Sequence, residues 1–353
     1  MPKRKEEQVP LGWEGPGKAS KEGGRPLKER HGIIFESGSV KEWNQPEADK
    51  FMSRLVDKEG GPTEQLLAYL NLIGLMGKDG RPLKDGCSLR DIVEVTQDKL
   101  IQKDPENPRR FLDRWELKKV TYGPDIDEKA MGYFQYFGLV DEILPANKEH
   151  DFGLVNGGLN GGIGRFGFAV KQWKQGVHFD TLVLLGSKRE LKRDGEVDEI
   201  KNFLDPNYFG LPVREGWEQP EELPTTEFEL MHAVFDKIDM PEDMRKHDKL
   251  MGIDSEANLH PDGTKTRAIT DNNVSDWLKT DPKGTFIAYA NNPYILRMGL
   301  VLKEKIPDIT LLKGEIVGAA ADPEFSGLEV YEGEFARLLF QVEKVLDKRK
   351  INV

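Results

Sequence analysis

One cysteine, Cys87, occurs in a chain of 353 residues. An internal disulfide is therefore impossible, and a zinc site built on cysteine is excluded. No histidine lies near Cys87 in sequence, so an inert thiol is a simpler reading than a nucleophile. Histidine is scarce too: His31, His150, His178, His232, His247 and His260 are scattered. No two of them have the i,i+4 spacing of a helical metal site, and no Ser/His/Asp or Cys/His set stands out, so no metal is expected. No apolar run approaches the roughly 20 residues that cross a bilayer. The opening MPKRKEEQVPLGWEGPGK has no apolar segment of a secretory signal, so the expectation is a cytoplasmic protein with no membrane span. Basic residues are in deficit as well: 51 Lys and Arg against 62 Asp and Glu give a net charge of -11. A nucleic-acid backbone asks for a basic face, so that class of partner is disfavoured.

What is present describes a globular chain. Hydrophobic residues make up 37% and charged residues 32%, and the length allows a sizeable core. Residues 1–30 are polar and rich in Gly, Pro, Lys and Glu, which suits an extended or disordered arm. Residues 31–148 read as a mainly helical accessory region. Ile33 to Phe35 is a short apolar run. A helical pattern begins near 44, with Ala48, Phe51, Met52 and Leu55. Thr63 and Ser88 are placed to cap helices over Glu64 to Met76 and Leu89 to Ile101. Arg109 to Val120 reads as partly helical, and Asp127 to Phe137 as a further helix. The Leu and aromatic stripes of these helices point to core rather than to a cofactor site.

The most organised stretch runs from Asp151 to Arg189, within a segment expected to span 149–323. The apolar run Phe152 to Val155 meets a loop holding Gly157, Gly158, Gly161 and Gly162. Phe166, Ala169, Val170 and Trp173 then follow at helix-face spacing until Gly176. A second apolar run, Thr181 to Leu185, ends in Gly186-Ser187-Lys188-Arg189. Strand, glycine loop, helix and strand form a βαβ unit, which belongs in a parallel sheet with its ligand at the strand C-terminal ends. The expected fold class is α/β: a three-layer Rossmann-like sandwich with a mostly parallel sheet, preceded by the helical region. Further on come a charged insertion, Glu190 to Leu223, and a helix capped by Thr225 or Thr226 through Phe235. A weak strand at Lys249 to Ile253, a polar loop at 254–265 and a helix at Thr266 to Leu278 follow. Thr285 to Ala290 is a strand, Tyr294 to Lys303 a helix, and Ile309 to Leu312 and Glu315 to Ala321 are strands. Residues 324–353 hold an amphipathic helix, Glu332 to Lys348.

Several groups could carry chemistry. Gly162-Ile163-Gly164-Arg165-Phe166-Gly167 matches GxGxxG, but a dinucleotide fingerprint wants its first glycine directly after the strand and an acid at the end of the second strand. The glycines begin earlier, and the second strand ends in Ser187-Lys188-Arg189, so an NAD site is disfavoured. The segment Asn156 to Arg165, with Gly157, Gly158, Asn160 and Gly161, still suits an anion, because glycines let the backbone approach and a helix N-terminus offers free N–H groups. The alternative is a turn that only packs helix on sheet. Lys188 and Arg189 lie where a phosphate or carboxylate would be met, or else begin a solvated loop. Glu227 either caps its helix, which its spacing favours, or faces the crevice. Arg267, Thr270 and Asn273 are spaced i, i+3, i+6 on the predicted helix, and Asn291, Asn292, Tyr294 and Arg297 follow a strand end. These residues either position a polar ligand or hold loops. Asp236 and Asp239 look like solvated helix ends.

Taken together, the segments resemble the YdcF/SanA-like family over about residues 150–312. The matching positions are Gly157-Gly158, Arg165, the strand ending at Gly186, Glu227, Thr270 with Asn273, and Arg297. Arg267 stands where that family has Ser, and Tyr294 where it has His. A tyrosine with its ordinary pKa of ~10 is a poor substitute for a histidine in proton transfer. The resemblance implies a three-layer sandwich with a polar crevice for a nucleotide-like or S-adenosylmethionine-like ligand. The first functional expectation is thus binding of a small anionic or nucleotide-like ligand, with Arg165, Lys188, Arg267 and Arg297 offsetting its charge. If chemistry follows, group transfer or hydrolysis fits, with Glu227 as the general base. The alternative is a scaffold without activity that engages a protein partner through residues 1–148. A methyltransferase would need an acid after the second strand, where only Glu190 offers itself beside Lys188 and Arg189.

Overall fold

The computed structural model describes residues 33–35, 51–84, 86–106, 111–112, 116–191, 200, 212–245, 250–256, 258–259, 265–266, 269–306, 312–321 and 326–348. The N-terminal arm, most of the helix expected from 44, much of the insertion, and Arg267 lie outside them.

A six-stranded sheet organises the chain. Its strands are β1 (Ile33–Phe35), β2 (Glu149–Asn156), β3 (His178–Ser187), β4 (Leu250–Ser255), β7 (Gly284–Asn291) and β8 (Leu312–Ala319), in the order β1-β8-β7-β2-β3-β4. β5 (Asn258–Leu259) and β6 (Lys265–Thr266) form a separate two-stranded ribbon within the expected polar loop. The five strands β8, β7, β2, β3 and β4 are all parallel, and only β1 runs antiparallel, on the edge.

Period-two alternation divides the strands between two layers. Leu154, Val183, Leu185, Phe286 and Ala288 face one side, and Val155, Leu182, Leu184, Ile287 and Tyr289 face the other. The second face is covered by α4 (Leu159–Lys174) and α5 (Glu227–Lys237), which contribute Phe166, Ala169, Trp173, Leu230, Met231 and Val234. The short α6 (Glu242–Arg245) adds Met244. The first face takes α7 (Thr270–Leu278) and α8 (Ile295–Lys305), with Val274, Trp277, Ile295 and Leu296 buried. Helices on both faces of a parallel sheet make the three-layer α/β sandwich expected from the βαβ pattern.

The helical region adds α1 (Glu64–Leu72), α2 (Leu89–Lys99) and α3 (Pro124–Tyr136). Thr63 and Ser88 cap α1 and α2 as their spacing predicts, accepting from the Leu66 and Asp91 N–H groups. These helices reach the sandwich through α9 (Leu328–Lys348), which packs on both α8 and α2. Tyr69, Phe134, Phe137 and Phe335 form the junction, and Tyr69 lies 5.1 Å, centroid to centroid, from both Phe134 and Phe335. The aromatic stripes are thus core, in one cluster with the α7–α8 face of the sheet.

Three boundaries differ from expectation. Helix α4 begins at Leu159, so it contains Gly161 and Gly162, which the sequence places in a loop. Helix α7 starts only at Thr270, after the β5–β6 ribbon. Most of the strand expected at Ile309 to Leu312 lies outside the described residues, and β8 runs from Leu312, ahead of the start expected at Glu315, to Ala319. Of the stretch Arg109 to Val120, read as partly helical, residues 109–110 and 113–115 lie outside the described residues.

Candidate site at the β2–β7 crevice

The strand order reverses between β2, which continues toward β3 and β4, and β7, which continues toward β8. In a doubly wound sheet a crevice opens at that reversal, beyond the strand C-terminal ends. Asn156 ends β2 and Asn291 ends β7, so the crevice lies between them. The connection from β2 into α4 is only Gly157-Gly158. Gly158 has φ 137°, which a side chain would strain. Gly157 donates its N–H to the Leu185 carbonyl at 2.6 Å. A methyl group on Gly157 would sit 2.8 Å from that oxygen. The two glycines therefore bring the first turn of α4 directly onto the sheet edge. The GxGxxG match lies wholly inside α4 and forms no loop.

Arg165, two turns into α4, is only 5% exposed. Helical side chains lean toward the helix N-terminus, so its guanidinium folds back beneath the first turn. Nε donates to Asn291 Oδ1 at 2.9 Å, and Nη1 donates to the carbonyls of Asn156, at 3.1 Å, and Gly157. Nη2 lies near Gly161, 3.2 Å from where a methyl group there would stand. All three acceptors are neutral, and among the described residues Arg165 has no ion pair. Burial pulls its pKa down to about 10, with Arg297 acting in the same direction and Tyr294, Glu227 and Glu334 opposing. At neutral pH the guanidinium remains charged. It sits beside the positive end of α4, an arrangement that disfavours it by itself.

Glu227 opens α5 on the β3 side of the crevice. The capping box of that helix belongs to Thr226 and Glu229, not to Glu227 as its position in the first turn suggests. Thr226-x-x-Glu229 is the spacing that identifies it in sequence. Glu227 is therefore available to the crevice. Its Oε2 accepts from Ser187 Oγ at 2.6 Å, and its carboxyl carbon lies 3.3 Å from where a methyl group on Gly157 would be. Ser187 is fully buried. Asn273 approaches from the opposite layer, on α7, and is 6% exposed. Its Nδ2 donates to the Leu185 carbonyl at 3.4 Å, the oxygen that also takes the Gly157 N–H. Its Oδ1 is buried with no partner. An unpaired buried acceptor costs about 1–3 kcal/mol.

The remaining candidates are placed differently. Asn156 donates Nδ2 to the Tyr289 carbonyl at 3.3 Å and ties β2 to β7. Asn160 lies in the first turn of α4, but its side chain is outside the described residues. Asn292 turns away and donates to the Gly138 and Asp141 carbonyls, at 3.3 and 2.6 Å, fastening the loop after α3. Tyr294 stands half-buried before α8, its N–H bonded to the Asn291 carbonyl at 2.9 Å. Arg297 pairs with Glu334 of α9, which is 1% exposed. Lys188 is exposed and pairs with Glu256. Arg189 gives its carbonyl to the Glu227 N–H at 3.0 Å, and Thr270 begins α7. Glu190 is exposed and bridges to Thr226. The structure therefore gathers Asn156, Gly157, Gly158, Gly161, Arg165, Ser187, Glu227, Asn273 and Asn291, while Asn292, Arg297 and Lys188 hold other parts of the fold. The role of Glu334 was missed; its signal is an acid within the buried stripe of α9, next to Phe335.

Sheet order and helix placement define a doubly wound α/β protein. No family model, no curated protein and no solved structure matches the chain. Among the described residues no helix is long and apolar enough to cross a membrane. No cluster of His, Cys, Asp and Glu among them could hold a metal.

Proposed function

We propose that the chain binds a small anionic, nucleotide-like ligand in the β2–β7 crevice, with its negative group over the first turn of α4. One observation carries the reading: Arg165 is a buried cation whose hydrogen-bond acceptors are all neutral. Buried charges are ordinarily paired, because desolvating an isolated ion costs several kcal/mol. Arg297, on α8, has its carboxylate in Glu334. Glu227 and Glu334 act on Arg165 without bonding to it, and the ligand supplies the direct anionic partner, which also meets the N–H groups of Leu159, Asn160 and Gly161 at the helix N-terminus. The resemblance to the YdcF/SanA-like family agrees with a ligand of this kind. For group transfer or hydrolysis the same crevice offers Glu227 as general base, oriented by Ser187.

Thermal unfolding of the full chain with inorganic phosphate and with nucleotides tests this. Ligand at about 100 times Kd stabilises the folded state by about 2.7 kcal/mol. The shift is expected in the unaltered protein and in Arg297→Gln, and it is expected to vanish in Arg165→Gln. Absence of a shift with every anion, or an equal shift in Arg165→Gln, overturns the reading.

A further inference from the structure

We propose that the ligand carries a free vicinal diol, as ribose does, and that the diol is read at the end of β3 by Glu227 and Asn273. This rests on the anion reading above and specifies the other half of the molecule that fills the crevice.

The crevice is polarised across Gly157-Gly158. On the β2–β7 side the donors are the first-turn N–H groups of α4 and the guanidinium of Arg165, which already holds Asn291 Oδ1 and the Asn156 and Gly157 carbonyls. On the β3 side two acceptors remain. Glu227 uses Oε2 for Ser187, and among the described residues nothing donates to Oε1. Asn273 uses Nδ2 for the Leu185 carbonyl, and its buried Oδ1 has no partner. The amide cannot be turned round to relieve this, because Oδ1 would then face the Leu185 oxygen. The two acceptors come from opposite layers of the sandwich, α5 and α7, and converge on the Leu185–Ser187 end of β3. Leu185 pairs in register with Asn156, so this end lies directly beside the glycine turn.

A ligand complementary to such a crevice has an acceptor-rich anion at one end and two adjacent donors at the other. Neutral hydroxyls suit the donor end better than an ammonium group. Glu227 stands in the first turn of its own helix, whose dipole favours its charge, and it already receives the Ser187 hydroxyl. It needs further hydrogen bonds but no counter-ion. A carboxylate that accepts from a ribose hydroxyl is also the means by which dinucleotide sites hold ribose in doubly wound sheets, where the acid follows the second strand. Here that strand ends in Ser187-Lys188-Arg189, and a helix begun after a long insertion supplies the acid instead.

Calorimetric titration of the full chain with ribose phosphate, deoxyribose phosphate and inorganic phosphate decides the matter. Ribose phosphate is expected to bind about tenfold or more tighter than deoxyribose phosphate, the loss that accompanies one hydrogen bond to a charged acceptor. In Glu227→Ala and in Asn273→Ala the two sugars are expected to bind alike, with affinity for inorganic phosphate retained. If ribose and deoxyribose phosphates bind the unaltered protein equally, the diol assignment falls and the anion reading stands. If inorganic phosphate and both sugars fail to bind, both fall. Circular dichroism and the retained phosphate affinity separate lost recognition from lost folding in the variants.

Discussion

Two buried charges, Glu315 on β8 and Arg165 on α4, lie on the same side of the sheet and are handled in opposite ways. Glu315 is fully buried on β8. Its carboxylate accepts the Ala146 N–H at 2.7 Å and the Asn147 N–H at 3.0 Å, and His150 Nε2 lies 3.3 Å away. Both oxygens are taken by groups of the chain itself, and they pin the segment that leads into β2. Arg165 is nearly as buried, yet it has only neutral carbonyl and amide acceptors, and the unpartnered Asn273 Oδ1 lies across the glycine turn. A saturated buried charge acts as a strut. An unsaturated one at a strand reversal leaves bonding capacity facing a crevice. The difference lies in the accounting of partners, since depth of burial is similar.

The comparison can be broken at either end. The largest effect is expected from Glu315→Ala, which removes the buried acceptor of the Ala146 and Asn147 N–H groups and the partner of His150. Urea unfolding should show a loss of about 3–5 kcal/mol. A loss below about 1 kcal/mol would remove Glu315 as a strut and with it the contrast.

Glu332 on α9 is an intermediate case, 2% exposed and served by the Tyr122 hydroxyl at 2.8 Å. Burial pushes its carboxyl up to about 7 from 4.5, against the lowering effect of that hydrogen bond. A carboxyl whose folded pKa is raised holds its proton longer in the folded state. Its effect on stability is therefore most favourable below pH 4.5 and declines as pH rises toward 7. Glu332→Gln should match the unaltered protein near pH 4 and exceed it at pH 8 by up to about 3 kcal/mol. Equal stability at pH 8 would mean that Glu332 is served as fully as Glu315.

The smallest effect sharpens the other end. Asn273→Ala removes one weak bond to Leu185 but also an unpaired buried acceptor, so stability should change by less than about 1 kcal/mol. A loss comparable to that of Glu315→Ala would mark Asn273 as a strut too.

Much of the fold is legible in the residue order. Apolar runs locate β2, β3 and β7, and Thr63 and Ser88 locate two helix starts, because strand burial and capping are local requirements. Other features depend on distant partners. Gly161 and Gly162 read as part of a loop, yet they lie in α4. A methyl on Gly162 would come 3.0 Å from Met231 Sδ, a contact made by a helix more than sixty residues downstream. Glu315 interrupts the apolar pattern of β8, and only the segment before β2 explains why a carboxylate can be buried there.

The same division runs through the candidate site. Asn156, Gly157, Gly158, Arg165 and Glu227 are identifiable by residue type and by their place near the ends of predicted elements, and Asn273 by its spacing from Arg267 and Thr270. Their partners are not. Ser187 and Glu227 are separated by a long insertion, and Arg297 is bound to Glu334 on another helix. The sequence by itself determined the alternating α/β order, the strand faces and the glycine turn, since these follow from periodicity and backbone freedom. Tertiary structure alone decided which charges are satisfied, because a hydrogen bond or an ion pair depends on ångström distances between residues that chain order leaves far apart.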